Sequence, residues 1–275
     1  RRPPRPTPFP YTTLFRSPVG LVNRLTVAKG ADAVRASLED LQQKGVAHVV
    51  LDAVEDADLT VIAEASRHLP LLTGGSAIAM PLPALYAQDG LLAHERDAET
   101  QNAPDGGAIL LSGSCSAMTN AQVARYLDTG APAYRVDPLV LANQGAGPVL
   151  EWLAAQDLAR GPLVYATADP ESVKAAQAKL GAAEAGRMVE DLLAQCAVIA
   201  RDAGARRFVV AGGETSGAVT KALGTTRLEI GPEIAPGVPW TFCSSDGHDL
   251  ALTLKSGNFG SETFFADALA ILDNI

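Results

Sequence analysis

Cysteine, histidine and long apolar runs are scarce in this chain of 275 residues. Its three cysteines, Cys115, Cys196 and Cys243, have neither the spacing of a disulfide framework nor that of a paired metal motif. We therefore expect a reducing compartment, the cytoplasm. No apolar run approaches the length that is needed to cross a bilayer, so we expect no membrane partner.

An excess of positive charge is also missing. The formal net charge is −9, which repels polyanions and argues against a nucleic-acid partner. Any phosphate bound here should be held by backbone amides and a few chosen side chains. A small-molecule ligand is favoured, and the composition leaves open whether the chain forms a homo-oligomer.

The common signatures of nucleotide and hydrolase sites are absent as well. The sequence contains neither GxxxxGK[ST] nor GxGxxG, so neither a P-loop nor a dinucleotide-binding Rossmann site is supported. HExxH, GxSxG and paired cysteine motifs are also missing, and the four histidines stand apart in the sequence. The sequence therefore predicts no protein-held metal cluster and identifies no catalytic residue.

The first 17 residues, RRPPRPTPFPYTTLFRS, differ from all that follows. They contain five prolines, four arginines and no acidic residue, and they lack both an initiating Met and the apolar core of a signal peptide. The string is similar to translated adapter sequence at the ends of fragmentary gene assemblies. We interpret residues 1–17 as a non-native leader and expect the natural N-terminus to be missing.

From Pro18 onward, strand and helix patterns alternate, which predicts an α/β protein. We predict two α/β domains: an incomplete first domain over residues 18–86, a linker over 87–106, and a second domain over 107–275. The second should be a mostly parallel sheet flanked by helices. In the first domain we expect helices at 30–45 and 56–69, the latter capped by Asp56, and strands at 47–53 and 70–77.

The second domain repeats this alternation. Predicted strands lie at 108–111, 134–136, 163–166, 208–211, 227–230 and 251–254. Predicted helices lie near 121–127, 147–155, 170–180, 185–201, 216–223 and 263–272.

Three turns that follow predicted strands are rich in glycine and small polar residues. Ligands of open α/β sheets bind beyond the carboxyl ends of the strands, where such turns meet. Glycine allows close backbone approach, and a helix start offers free amides and the positive end of the helix dipole. The turns predict a phosphate cradle, although each could also be merely structural, with Thr215 or Ser216 capping a helix. Their candidate ligand contacts are Ser112, Ser114, Gly213, Glu214, Thr215, Ser216, Gly217, Lys255 and Gly257.

Several single residues have two interpretations. Lys255 either neutralises phosphate charge or is a solvated lysine at a strand end, and Glu214 either reaches Mg²⁺ or is a first-turn acid favoured by the helix dipole. Asp52 and the turn over 74–76 either face an acceptor or only cap a strand. Trp240 either lies near the ligand or packs in the core.

Seven motifs, in order along the chain, carry a family resemblance. From Val19 to the end, the sequence resembles the C-terminal part of the four-carbon acid sugar kinase family, in particular its members that phosphorylate 3-oxo-tetronate. The motifs are VLDAVEDADL, LLTGGSA, LSGSCSAMTNAQV, VYATADPESV, VAGGETSGAV, IGPEIAPGVPW and LKSGNFGSETFF.

The resemblance implies an enzyme that transfers phosphate from ATP to the terminal hydroxyl of a four-carbon acid sugar. It also implies that the three turns line the ATP site, through Ser112 or Ser114, through 213–217 and through Gly257. Phosphoryl transfer usually requires Mg²⁺ as well. A threonate or erythronate kinase and a non-catalytic nucleotide-binding module remain the alternatives.

One departure from the family pattern is large. Members begin with an Asp-rich segment similar to DDFTG, which this chain lacks. We expect that about 150 residues, the size of one small domain, are missing ahead of Val19. The catalytic base and most of the acceptor site are then expected in that segment, and the chain alone is expected to be inactive.

Overall fold

The computed structural model of the chain describes residues 18–92 and 102–273. These residues form two compact units, which divide between Arg96 and Asp97. The predicted leader and residues 93–101 of the predicted linker lie outside the described residues. None of the described helices is long and apolar enough to cross a membrane.

The first unit is built around two short parallel strands. Val19 pairs with His48 and Val22 with Leu51, so both strands end at the same edge. The elements are β1 (Val19–Val22), α1 (Arg24–Val27), α2 (Ala31–Gln43), β2 (His48–Leu51), α3 (Asp56–Ser66), a 3₁₀ turn (Ser76–Ala79) and α4 (Leu82–Gln88). Its core is formed by Val22, Val27, Val34, Ile62 and Ala65.

Two predictions for this unit are wrong. The segment 70–77 forms no strand: residues 71–73 are irregular and a 3₁₀ turn begins at Ser76. Among the described residues the only strands of this unit are β1 and β2, so the segment has no ladder to join. Helix α3 is capped by Glu55, not by Asp56, because Glu55 has the extended backbone of a cap and forms a capping box with Asp58.

The second unit contains a seven-stranded sheet in the order β4-β5-β3-β6-β9-β8-β7. The five strands from β4 to β9 are parallel, which confirms the mostly parallel sheet, whereas β7 and β8 pair antiparallel at one end. The strands are β3 (Gly107–Ser112), β4 (Ala133–Arg135), β5 (Leu163–Tyr165), β6 (Ala205–Ala211), β7 (Glu229–Ala235), β8 (Val238–Ser245) and β9 (His248–Lys255).

Helices cover both faces of this sheet. They are α5 (Ala117–Leu127), α6 (Pro138–Gln144), α7 (Gly147–Ala154), α8 (Pro170–Leu180), α9 (Ala182–Asp202), α10 (Gly213–Ala222) and α11 (Phe264–Leu272), with a 3₁₀ turn at Leu158–Arg160. Phe208, Val209 and Val210 of β6 are fully buried, as expected for a central strand between two helical layers. The continuous apolar run in the sequence therefore comes from burial on both sides.

The hairpin of β7 and β8 corrects the sequence analysis, which predicted a strand at 227–230 and none at the position of β8. Proline is tolerated on an edge strand because one side of that strand needs no ladder hydrogen bonds, and β7, which carries Pro232, is such an edge. Trp240 lies on β8 and is fully buried, and its Nε1 donates to the carbonyl oxygen of Ala268 at 2.9 Å. The core-packing interpretation of Trp240 is the one that the structure supports.

Candidate functional site

The three polar turns leave the sheet side by side. Ser112 at the end of β3 lies opposite Ala211 at the end of β6, and Ala211 lies opposite Lys255 at the end of β9. Three parallel strands in this register place the turns that follow them at one edge. The spacing of parallel strands, about 4.8 Å, brings their backbones within reach of a single ligand.

The central turn opens directly into a helix. Gly212 has a φ of 128°, a conformation that favours glycine, and α10 starts at the next residue. No side chain caps this helix: the hydroxyl of Ser216 donates to the Gly212 carbonyl oxygen at 2.7 Å instead. The first amides of α10 are therefore not engaged by a capping side chain, in contrast to the interpretation of this corner as a capped turn.

Gly213 itself is not in the positive-φ region, so its backbone conformation does not require glycine. A Cβ atom built on Gly213 meets no protein atom within 4 Å. The space in front of this residue is open, and a ligand can approach the backbone there without obstruction by the protein.

Thr215 connects the central turn to the first turn. Its side chain is buried, and a Cβ atom on Gly113 would lie 2.3 Å from the Thr215 Oγ1. A Cβ atom on Gly212 would lie 2.8 Å from the same oxygen. Both glycines are thus required for the close approach of the two turns, and Thr215 fills the space between them.

Ser112 and Ser114 play different parts. The Ser112 side chain is fully buried, and its Oγ lies 2.6 Å from Oγ1 of Thr167, which in turn donates to the Ser114 carbonyl oxygen at 2.8 Å. Ser114 is only half-buried and lines the open side of the turn. Of the two serines, Ser114 is thus accessible from the open side of the turn, whereas Ser112 is a buried structural contact.

The third turn is held in place by hydrogen bonds from a buried lysine. Lys255 is fully buried, and its Nζ donates to the Gly257 carbonyl oxygen at 2.7 Å and to Oγ1 of Thr119 at 3.1 Å. Thr119 Oγ1 also lies 2.9 Å from the Gly257 carbonyl oxygen and 3.2 Å from Oγ of Ser114. The interpretation of Lys255 as a solvated lysine is wrong, because this network holds the first and third turns together.

The ammonium group of Lys255 is desolvated. Burial lowers its pKa to about 8, from 10.5 for a lysine in water. Its hydrogen-bond acceptors among the described residues are neutral oxygens, and none of the described salt bridges includes it. A positive charge in this position attracts an anion bound on the other side of the Gly257 turn.

A cavity of about 960 Å³ lies over these turns. One end is lined by Ser114, Gly213, Glu214, Thr215 and Gly257, and the other by residues of α6, α8 and α9. Among the charged side chains that line it, Arg135 is the cation, and the anions are Asp137, Glu190 and Glu214. The size fits a nucleotide-sized ligand.

This donor set is compatible with Mg²⁺ that is bound mainly by phosphate oxygens and water. Magnesium in phosphoryl-transfer sites typically takes one or two carboxylates from the protein, and Glu214 is exposed at the end of the cavity that the three turns line. The described residues contain no group of three or more His, Cys, Asp or Glu side chains that could hold a metal alone. The part of the chain that the structure describes therefore offers no set of ligands that could hold the metal without phosphate.

Sequence reasoning missed the far end of the cavity. Its walls include Val136, Leu139, Val173, Ala176 and Val189. They come mostly from helices that pack over the ends of β4 and β5, and nothing in their local sequence distinguishes them from core residues. The available signal was the rule that ligands lie at the carboxyl edge of parallel strands, which includes β4 and β5.

In the first unit, Asp52 follows the end of β2 and is exposed. Its backbone N–H donates to the Val22 carbonyl oxygen at 3.1 Å, which continues the pairing of the two strands. The neighbouring Asp58 is buried, and backbone hydrogen bonds, first that from Val54, together with Arg24 lower the pKa of its carboxyl group. The turn over 74–76 is exposed as well.

Comparison with known proteins gives two family models along the chain. A nucleotide-binding C-terminal domain matches residues 109–265, and a sugar-binding N-terminal domain matches residues 13–82. Curated 3-oxo-tetronate kinases are similar to most of the chain: that of Pseudomonas fluorescens is 49% identical over 94% of it. The chain belongs to the four-carbon acid sugar kinase family. The resemblance that the seven motifs indicated is thus confirmed.

Further relatives agree. The 3-oxo-tetronate kinases of Cupriavidus necator and Salmonella typhimurium are 48% and 42% identical over 92% and 90% of the chain. A solved structure from Salmonella typhimurium matches with a TM-score of 0.73 and 40% identity over 92% of the chain and 60% of its own length. One from Haemophilus influenzae has a TM-score of 0.65 and 36% identity over 94% and 61%.

The chain spans only part of its relatives. It covers 59% of each of the three curated kinases. The family is therefore shown over nearly all of this chain.

Proposed function

We propose that this protein belongs to an ATP-dependent kinase that phosphorylates the C4 hydroxyl of a four-carbon acid sugar, most specifically 3-oxo-tetronate. The observation that carries the proposal is the convergence of three glycine-containing turns at the in-register ends of β3, β6 and β9. They border one cavity of about 960 Å³. The curated relatives that share this part of the chain bear the name 3-oxo-tetronate kinase.

In this proposal, residues 107–275 bind ATP and residues 18–86 belong to the domain that binds the acid sugar, with a linker over 87–106. The phosphate contacts are Ser114, Gly257 and the stretch 213–217. Lys255 acts from behind the Gly257 turn through its charge. The three cysteines, none of them in a described disulfide, favour a cytoplasmic enzyme.

The reaction forms a bond between the acceptor hydroxyl oxygen and the γ-phosphorus and breaks the bond between that phosphorus and the β–γ bridging oxygen. ADP leaves, and the hydroxyl proton passes to a base. Free amides at the start of α10 and the Lys255 charge stabilise the negative charge on the phosphates. Mg²⁺, held by phosphate oxygens and Glu214, would supply further charge neutralisation when bound.

Asp52 and the turn over 74–76 are our candidates for contact with the acid sugar. Asp52 lies at the carboxyl end of two parallel strands, the usual place for a ligand in an α/β unit. Its exposed carboxylate is suited to accept hydrogen bonds from sugar hydroxyls.

The test is ADP release with 3-oxo-tetronate, threonate and erythronate, measured on two proteins. One is the chain of 275 residues, and the other is the same chain joined at Val19 to the preceding part of a curated relative. We expect no acid-dependent ADP release from the first, because phosphoryl transfer requires an acceptor positioned in line with the γ-phosphate. We expect the second to release ADP, fastest with 3-oxo-tetronate.

Different results would separate the alternatives. A preference for threonate or erythronate would keep the kinase and change its substrate. Folded, ATP-binding protein without any transfer in the joined chain would support a non-catalytic module. Acid-dependent ADP release from the chain of 275 residues would show that the acceptor site lies within it.

A further inference from the structure

We propose that a second cavity, at the edge of the sheet where β6 and β9 begin, binds a small hydroxy acid through its carboxylate. We call this cavity the amino-edge site. Its volume is about 830 Å³, and its walls come from residues 102–105, from the segment 226–229, and from the ends of β6, β8 and β9 that meet there. The inference is independent of the proposed nucleotide function, because the three glycine-containing turns lie at the opposite ends of β6 and β9.

Arg206 lines the amino-edge site without a carboxylate partner. Three other arginines at this edge of the sheet each pair with an acid: Arg201 with Asp202, Arg207 with Asp273 and Arg227 with Glu229. None of the described salt bridges includes Arg206, although this residue is half-buried. A cation that has lost part of its water and has no counter-ion interacts more strongly with an incoming anion than a fully solvated one does.

The guanidinium group of Arg206 is held in one orientation. Its Nη1 donates to the carbonyl oxygens of Arg201 and Ala205, both at 2.8 Å, and its Nη2 lies 3.1 Å from Nδ1 of His248. The backbone of Gly106 packs against the stem, since a Cβ atom there would lie 2.4 Å from Cγ of Arg206. The Nε–H and the second N–H of Nη2 have no acceptor among the described residues. Together they form an edge of the planar fork that matches a carboxylate.

His248 adds an uncharged donor beside this cation. An arginine side chain can only donate, so Nδ1 of His248 accepts the hydrogen bond from Arg206 and carries no proton. The proton of the neutral ring is therefore on Nε2, which can donate to a ligand. Because His248 also lines the cavity, the amino-edge site offers a charged and a neutral N–H donor side by side.

The remaining walls select the class of acid. Asp105, Glu229 and Asp249 also line the cavity, and their carboxylates repel a ligand with several negative charges. The same carboxylates accept hydrogen bonds from hydroxyl groups. Phe242 and Leu250, both buried, supply a small apolar surface. The ligand that fits has one carboxylate for the arginine and hydroxyl groups for the acidic side chains, which describes a polyhydroxylated monocarboxylic acid.

Threonate is the probe for this site, and threitol, which has a hydroxyl group in place of the carboxylate, is the matched neutral ligand. Binding of each to the chain of 275 residues is measured by calorimetry, with melting temperatures as a check of folding. We expect threonate to bind at least tenfold more tightly than threitol, because only threonate can form the charge-assisted pair with Arg206.

Variants then locate the binding. We expect Arg206→Gln to lower the threonate affinity at least tenfold. The matched control is Arg207→Gln, at the next position of β6, which does not line the cavity. Asp52→Ala tests the candidate acid-sugar contact of the first unit, and we expect both controls to bind threonate within twofold of the parent. In the unaltered chain, threonate should shift the backbone amide resonances of residues 247–249 and not those of 52–54, which locates the ligand even if Arg206→Gln does not fold.

Three results would overturn the amino-edge site. The first is equal affinity of the folded parent for threonate and threitol, or no binding of threonate at all. The second is unchanged threonate affinity in a folded Arg206→Gln variant. The third is a shift of the amide resonances of residues 52–54 without a shift of those of 247–249, which would place the acid in the first unit. None of these measurements involves ATP, so failure of this inference is distinguishable from failure of the proposed nucleotide function.

Discussion

The Nζ atom of Lys255 donates a hydrogen bond to the carbonyl oxygen of Gly257 at 2.7 Å, from a position that is fully shielded from solvent. A buried lysine without a carboxylate partner in the described salt bridges is costly, because the ammonium group has lost its water. Lys255 lies directly behind a glycine turn of the candidate phosphate site. Its charge can therefore interact with an anion that binds there.

Stability should depend on the titration of Lys255. Its pKa is about 8 in the folded chain and 10.5 in water, so between these values the unfolded state binds more protons. The contribution of this group to the free energy of unfolding therefore rises with pH across that window, and the burial penalty is fully present below it. Lys255→Met should remove this rise, as measured by denaturant unfolding at several pH values. A slope unchanged in the variant would contradict the assignment.

ATP affinity should show the opposite trend. A bound polyphosphate favours the charged form of Lys255, so the affinity of the parent for MgATP should fall as pH rises above about 8. We expect Lys255→Met to bind MgATP more weakly at neutral pH and to lose this fall. Calorimetry of parent and variant at matched pH checks both statements, and a parallel pH profile in the two proteins would argue against them.

Gly213 should tolerate a side chain in the fold but not in the complex. Because a Cβ atom there meets nothing within 4 Å and valine has a somewhat higher helix propensity than glycine, Gly213→Val should leave the protein folded. It should weaken MgATP binding by about 1 to 3 kcal/mol, since the valine occupies the approach of the phosphate to the backbone. Gly147→Val is the control, as Gly147 is the equally open first residue of α7. If both variants bound MgATP equally well, the turn at Gly213 would have only a structural role.

The close packing of Gly113 on Thr215 predicts a rescue. Gly113→Ala should destabilise the chain by about 1 to 3 kcal/mol, because the new Cβ would overlap Oγ1 of Thr215 at 2.3 Å. The Cβ of Thr215 would lie 3.5 Å from the new atom, an ordinary contact, so Thr215→Ala in the same chain should recover most of the loss. A double-mutant cycle of unfolding free energies measures the coupling, and strictly additive effects would show that the overlap is relieved elsewhere.

Alanine variants of Ser112 and Ser114 should differ in whether they affect stability or MgATP binding. Ser112→Ala removes the buried contact to Thr167 and should cost about 1 kcal/mol of stability with little direct effect on MgATP affinity. Ser114→Ala should lower the MgATP affinity and have little effect on stability, since this side chain lines the cavity. Thermal unfolding measures the stability of both variants, and calorimetry measures their MgATP affinity. If Ser112→Ala changed only the MgATP affinity, Ser112 and not Ser114 would be the ligand contact.

The sequence was sufficient to predict the parallel part of the sheet and the three polar turns that meet at one edge of it. Strands β3, β6 and β9 each contain several apolar residues and are each followed by a glycine or a serine, and this signal is local. The hairpin of β7 and β8 could not be predicted in this way, because Pro232, Gly237 and Pro239 resemble a loop until their edge position is known.

The interior of the site escaped prediction for a different reason. Whether Lys255 is solvated or buried depends on Thr119, which is 136 positions away and reaches it only in the folded sheet. The far end of the cavity likewise combines residues from α6, α8 and α9, none of which has a distinctive motif. Sequence patterns report the neighbours along the chain, while these features depend on neighbours across the sheet.

The hydrogen bond between Thr119 and Gly257 spans 138 positions of the chain. A site closed by such distant segments exists only when the whole strand order is in place, so a partly folded chain cannot keep it. Bound nucleotide should therefore slow amide hydrogen exchange in β3, β6 and β9 by a common factor, as expected when a ligand opposes global unfolding. Nucleotide affinity would then serve as a direct measure of how completely the second unit has folded.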